Sequence, residues 1–213
     1  NYANLAFTDA IKKMQEENGS RSNYERMEKY TSKEGLNPNE IGMIAGQDSF
    51  YLASFGENGF PYIQHRGGPK GFLKELDNKT LAFLDFSGNM QYISVGNMET
   101  NNKVSLILVD YPRKARLKIY AEAEVLPVDE NPELMEKLSL EDYKYRPERI
   151  MVFHIKAFDW NCPQHITPRY TVEEVEQLIS FAKKIKMKLI IKILQFFSST
   201  TVSRIAYKFM SSP

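Results

Sequence analysis

The chain has 213 residues, a net charge of +1, 42% hydrophobic and 26% charged residues, a balance that suits one globular domain with appendages and excludes disordered and fibrous classes. Cys162 is the only cysteine, which excludes an internal disulfide and any cysteine-built zinc or iron–sulfur centre. Asn1 to Glu17 holds five charged residues and no signal-peptide core, and no apolar run is long enough to span a bilayer, so a cytoplasmic location is expected.

In chain order, Leu5, Ala6, Phe7, Ala10, Ile11 and Met14 recur at helical spacing and predict one helix that stops at Asn18-Gly19-Ser20. A second helix is expected over Asn23 to Tyr30, and Asn37-Pro38-Asn39-Glu40 reads as the start of a third. Ser49–Phe55 and Phe60–Gln64 form a hairpin across Gly56-Glu57-Asn58-Gly59. Thr80–Phe86 and Lys103–Tyr111 read as buried strands with a short helix between them. Arg116 to Val125 alternates Leu117, Ile119, Ala121, Ala123 and Val125 with polar residues, giving one core face and one charged face. Pro132–Leu140 predicts a helix and Arg149–Phe158 a last strand. The expected class is mainly β (α+β): a six-stranded antiparallel barrel with peripheral helices.

Four stretches carry potential chemistry. His65-Arg66-Gly67-Gly68-Pro69-Lys70-Gly71 follows a strand, and its glycines and cations suit an anionic ligand, although an ordinary loop has the same composition. Asp85-Phe86-Ser87-Gly88-Asn89-Met90-Gln91-Tyr92-Ile93-Ser94 runs from a strand into a helix, offering backbone N–H groups and short polar side chains to a phosphate or ribityl chain; a plain helix cap is the alternative. Arg116 and Lys118 point the same way from one strand, towards a ligand anion or towards solvent. Phe158 to Arg169 holds the only tryptophan, Trp160, with Cys162, His165 and Arg169; Trp160 suits either a planar ligand or a buried anchor. An inert thiol is favoured for Cys162, and His65, His154 and His165 have no acidic partners at metal-binding spacing.

In this order and separation the four stretches resemble the pyridoxamine 5′-phosphate oxidase-like flavoproteins over roughly Phe7 to Tyr170, notably the subgroup with His-Arg-Gly-Gly-Pro, Gly-Asn-x-Gln-Tyr-Ile-Ser and Trp-Asn-Cys-Pro-Gln-His segments. The resemblance implies a split barrel that forms a homodimer with flavin mononucleotide (FMN) at the interface, acting as an oxidoreductase on a small-molecule substrate or electron donor. A non-catalytic module holding flavin, haem or a deazaflavin is the alternative. The implied cofactor residues are Gln64, His65, Arg66, Gly67 and Gly68 along the flavin ring, Phe86, Ser87, Gly88, Asn89, Gln91 and Tyr92 around the ribityl phosphate, and Arg116 and Lys118 on the next strand. Trp160, His165 and Arg169 would stand on the substrate side. Met90-Gln91 replaces the Arg-Lys pair of the oxidase proper, so Arg66, Lys70, Arg116, Lys118 or backbone N–H groups must meet the phosphate. Several pyridoxal-phosphate recognition residues are absent, which argues against vitamin B6 oxidation.

The chain is expected to divide into N-terminal helices over 1–48, an FMN-binding barrel over 49–170 and, outside the resemblance, a basic tail over 171–213, in which Val175, Leu178, Ile179, Ala182, Ile185 and Leu189 recur at helical spacing. From Gln177 onwards the tail has seven basic residues and no acidic one. Its apolar residues after Leu189 require the dimer mate, the barrel or a membrane interface, of which protein packing is favoured; no nucleic-acid partner is expected.

Overall fold

The computed structural model describes residues 1–30 and 35–198. It divides into two compact units, Asn1–Thr167 and Pro168–Pro213.

The first unit opens with α1 (Tyr2–Ala6), α2 (Asp9–Glu17), α3 (Arg21–Tyr30) and α4 (Pro38–Ala45). The single N-terminal helix expected from periodicity is two helices, because Thr8 takes an extended conformation and restarts the helix at Asp9. Pro38 occupies the first turn of α4, and the Glu40 carboxylate accepts the Asn37 backbone N–H at 3.0 Å.

The sheet strands are β1 (Ser49–Phe55), β2 (Pro61–Gly67), β3 (Lys74–Asp77), β4 (Thr80–Phe86), β5 (Lys103–Asp110), β6 (Ala115–Pro127) and β7 (Pro147–Asn161), with α5 (Ile93–Thr100) between β4 and β5 and α6 (Pro132–Leu138) between β6 and β7. They form one antiparallel sheet in the order β2-β1-β5-β6-β7-β4-β3. The additional strand relative to the expected six is β3, a polar Lys-Glu-Leu-Asp edge strand without the apolar alternation that reveals half-buried strands.

Three strands, β5, β6 and β7, separate β1 from β4 in hydrogen-bonding order, yet the Phe50 ring of β1 lies 5.4 Å from that of Phe83 on β4. The sheet therefore curls until its ends face one another, and the buried rings Phe50, Phe72, Phe83 and Phe153 fill the interior. The alternation read in Arg116–Val125 is observed: Leu117, Ile119, Ala121 and Ala123 are buried in this core. The split in the barrel lies between the β2 and β4 ends.

The second unit contains α7 (Val172–Ser198). Arg204 and Lys208 lie outside the described residues.

Candidate functional site

A cleft opens where the curled sheet fails to close. It is lined from β2 by Tyr62, Gln64 and Arg66, from the end of β4 by Asp85 and Phe86, from the following loop by Gly88 to Tyr92, from α5 by Ile93 to Val95, and from β7 by Glu148 and Arg149. β2 extends through His65 and Arg66 to Gly67, so these residues belong to a strand rather than to the loop suggested by composition. The period of two then turns Gln64 and Arg66 to one side and Ile63 and His65 to the other.

Arg66 spans the split. Its guanidinium donates to Asp85 Oδ1 at 2.6 Å, and Arg149 donates to Oδ2 of the same carboxylate at 3.1 Å. Asp85 is 3% exposed. Its burial pushes the carboxyl above its ordinary pKa against the pull of Arg66 and Arg149, and the Arg66 guanidinium is likewise lowered chiefly by burial. Glu148 pairs with Arg149 at 2.5 Å, and the Arg149 guanidinium lies 5.0 Å over the Tyr92 ring. Two cations and two carboxylates leave the cluster without net charge, so any anion selectivity rests on directed donors. One such donor is present: Arg66 Nε is buried and has no hydrogen-bond partner among the described residues.

The loop from β4 to α5 is held in an uncommon conformation. Met90 and Tyr92 have φ of 58° and 54°, the left-handed region that costs non-glycine residues about 1–3 kcal/mol each. A bulge between Asp85 and Phe86 re-aims the strand as it enters this loop. Asn89 Oδ1 accepts the Gln91 N–H at 3.3 Å, and Ser94 Oγ of α5 donates to Gln64 Oε1 at 2.7 Å, tying the first turn of the helix to β2. Tyr92 makes no side-chain cap bond at the start of α5.

The structure thus brings Gln64, Arg66, Phe86, Gly88, Asn89, Gln91 and Tyr92 into one cleft. Ser87 stands within the same loop, its N–H bonded to Arg146 O at 2.9 Å. Gly67 and Gly68 have packing reasons for being glycine: a Cβ on Gly68 would come within 2.7 Å of Phe72 Cγ, and one on Gly67 within 3.0 Å of the His65 ring.

His65 and Lys118 lie elsewhere, on the outer face of the sheet. Strand register places His65, Tyr51, Ile107, Lys118 and Asp159 in one row across β2, β1, β5, β6 and β7. Lys118 donates to Tyr2 Oη at 2.8 Å and pairs with Asp159 at 3.7 Å, while Tyr2 stacks on Tyr120. Arg116 donates to Cys162 O at 2.8 Å.

Trp160 is an anchor. Its Nε1 donates to Glu40 Oε1 at 2.6 Å, and its ring packs on the main core. His165 is exposed in the segment after β7 with φ of 64°. Arg169 belongs to the second unit.

Sequence reasoning included Asp85 in a candidate stretch without giving it a role, and missed Glu148 and Arg149. A lone carboxylate in the apolar strand Thr-Leu-Ala-Phe-Leu-Asp-Phe was the available signal for Asp85; nothing local marks Arg149, which reaches the cleft through the β4–β7 pairing.

A split barrel with a polar cleft at its seam defines the class of protein, and sequence comparison agrees. The family model for pyridoxamine 5′-phosphate oxidase matches residues 41–160, so the chain belongs to that family. No curated protein matches the sequence. Similar solved structures include HupZ of Group A Streptococcus, with 15% identity over 63% of this chain and 100% of that chain and a TM-score of 0.45. A Clostridium acetobutylicum protein related to general stress protein 26, of the pyridoxinephosphate oxidase family, has 16% identity over 64% of this chain and 94% of its own, TM-score 0.45. An FMN-binding protein of Syntrophomonas wolfei has 16% identity over 56% and 81%, TM-score 0.44.

Proposed function

We propose that the protein binds FMN through the cleft at the barrel seam and works as a homodimeric flavin-dependent oxidoreductase. The observation that carries this reading is the buried, unpaired Arg66 Nε beside a loop of short polar side chains, within the span matched by the family model. A buried N–H without an acceptor is rare and costs about 1–3 kcal/mol, so it marks a place where a ligand acceptor fits.

Ser87, Asn89 and Gln91 would hold the ribityl phosphate, together with backbone N–H groups at the start of α5, where the helix dipole favours an anion. Arg66, kept in place by Asp85 beside Arg149, would supply through its Nε–H the directed donor that Met90-Gln91 does not. Gln64, fixed by Ser94, would orient the ring system. The bound flavin would supply hydride or electron transfer, and these residues position it and hold a polar environment at its edge.

The outer face of β1 and β2 supports the dimer: Tyr51, Phe55 and Ile63 are 40%, 50% and 65% exposed. A second copy seated there would bring the row containing His65 and Lys118 towards a neighbouring cleft, uniting the two groups of cofactor residues. Trp160 stands outside this proposal because Glu40 occupies its polar edge.

The test is titration of the purified full chain with FMN, followed by absorbance and calorimetry. Near one FMN per chain is expected, and Arg66→Ala should weaken binding roughly 10- to 100-fold, the worth of a charge-assisted hydrogen bond. Absence of binding, or an unchanged affinity in Arg66→Ala, would overturn the assignment.

A further inference from the structure

α7 combines a wide apolar surface with a run of one charge. Leu178, Ile179, Phe181, Ile185, Met187 and Leu189 each keep more than half their surface in water. Val175, Leu178, Ala182, Ile185 and Leu189 follow three- and four-residue steps down one face. At 100° per residue, Lys183 and Lys188 fall on the two flanks of that face. Lys183, Lys184, Lys186, Lys188 and Lys192 are all exposed, and no acidic residue follows Glu176 in the helix.

Charge separates a second copy, a nucleic acid and a lipid surface as occupants of this face. A second copy aligned in parallel would set lysine against lysine. In either direction a two-helix seam would cover only a narrow stripe and leave Ile179, Phe181 and Ile190, on the shoulders of that stripe, in water. A nucleic acid would answer the lysines and leave the apolar face exposed. An anionic lipid surface answers both: the apolar face enters the acyl boundary while flanking lysines extend their stems to the headgroups. No described helix is long and apolar enough to cross a membrane.

We propose that α7 is an interfacial helix that docks the protein on membranes carrying anionic lipid. The attraction is reversible and salt-dependent, and it stands independently of the flavin reading. Each lysine near an anionic surface strengthens binding roughly fivefold, so the helix can hold the chain at a membrane without inserting through it.

The experiment is flotation of the full chain with vesicles of phosphatidylcholine alone or mixed with phosphatidylserine. Binding to the mixed vesicles alone is expected, falling sharply as salt shortens the screening length from about 10 Å to about 3 Å. Lys183→Ala/Lys188→Ala should reduce partitioning roughly 25-fold, and Leu178→Glu/Leu189→Glu should abolish it. Both variants change exposed positions, and unaltered circular dichroism of the domain checks that each folds. Equal binding to both vesicle types, no binding to either, or cross-linking that traps α7 against another copy without lipid binding overturns the proposal.

Discussion

Replacing Trp160 by Phe tests whether the tryptophan anchors the fold or faces a ligand. The indole N–H donates at 2.6 Å to Glu40, which is 2% exposed and whose other carboxylate oxygen accepts the Asn37 N–H. A hydrogen bond to a charged acceptor contributes about 1.5–3 kcal/mol, and the smaller ring leaves a gap costing about 1 kcal/mol more. A loss of about 3 kcal/mol follows, or a fall in Tm of roughly 6–12 °C for a domain of this size. Circular dichroism is the assay, since the substitution removes the only tryptophan. In the Glu40→Gln background the same substitution should cost about 1–2 kcal/mol less, the coupling expected of groups in contact. A change within about 0.5 kcal/mol, or a zero coupling, would refute the anchoring role. A loss of FMN affinity with intact stability would return Trp160 to the ligand.

Gly68→Ala should destabilise by about 1–3 kcal/mol, because the new methyl meets Phe72 inside the aromatic core, and urea melts measure it. Met90→Gly should do the opposite: relief of a left-handed φ of 58° at an exposed position, less glycine's entropy, raises stability by up to about 1 kcal/mol, and a lowered Tm would contradict the loop geometry. The Lys79 backbone N–H, 2.7 Å from Asp77, holds that carboxyl below its usual range. Its stabilisation is present above the unfolded value near pH 4 and lost as pH falls through the lower native one. The Tm gap between wild type and Asp77→Asn should therefore be steady near neutrality and close in acid; a gap that widens on acidification would count against it.

Elements with strong local patterns were legible in the sequence. The Asn58-Gly59 hairpin, the alternating Leu117–Val125 strand and the Pro38 helix start each show a pattern within a few residues, and each is observed. β3 was not legible because its four residues form a polar edge. The site divided in the same way. Gln64, Arg66 and the Phe86–Tyr92 loop stood out by composition, whereas Arg149 enters only through strand pairing some sixty residues away, 64 positions from Asp85. Trp160 attracted a ligand role because it is unique, but its partner, Glu40, lies 120 residues upstream, beyond any local pattern.

The position of β7 in the sheet bears on how the chain reaches its native state. β7 pairs with β6 on one side and β4 on the other, so the β3–β4 hairpin has no other backbone pairing with the sheet. During synthesis β4 emerges more than sixty residues before its partner, and until β7 arrives both β4 and β6 present open hydrogen-bonding edges beside buried-type apolar residues. Such edges recruit other chains. The assembly of this barrel is thus a late, long-range event, and a ribosome stalled before Pro147 would hold a four-stranded and a two-stranded sheet with no backbone pairing between them instead of a smaller version of the fold.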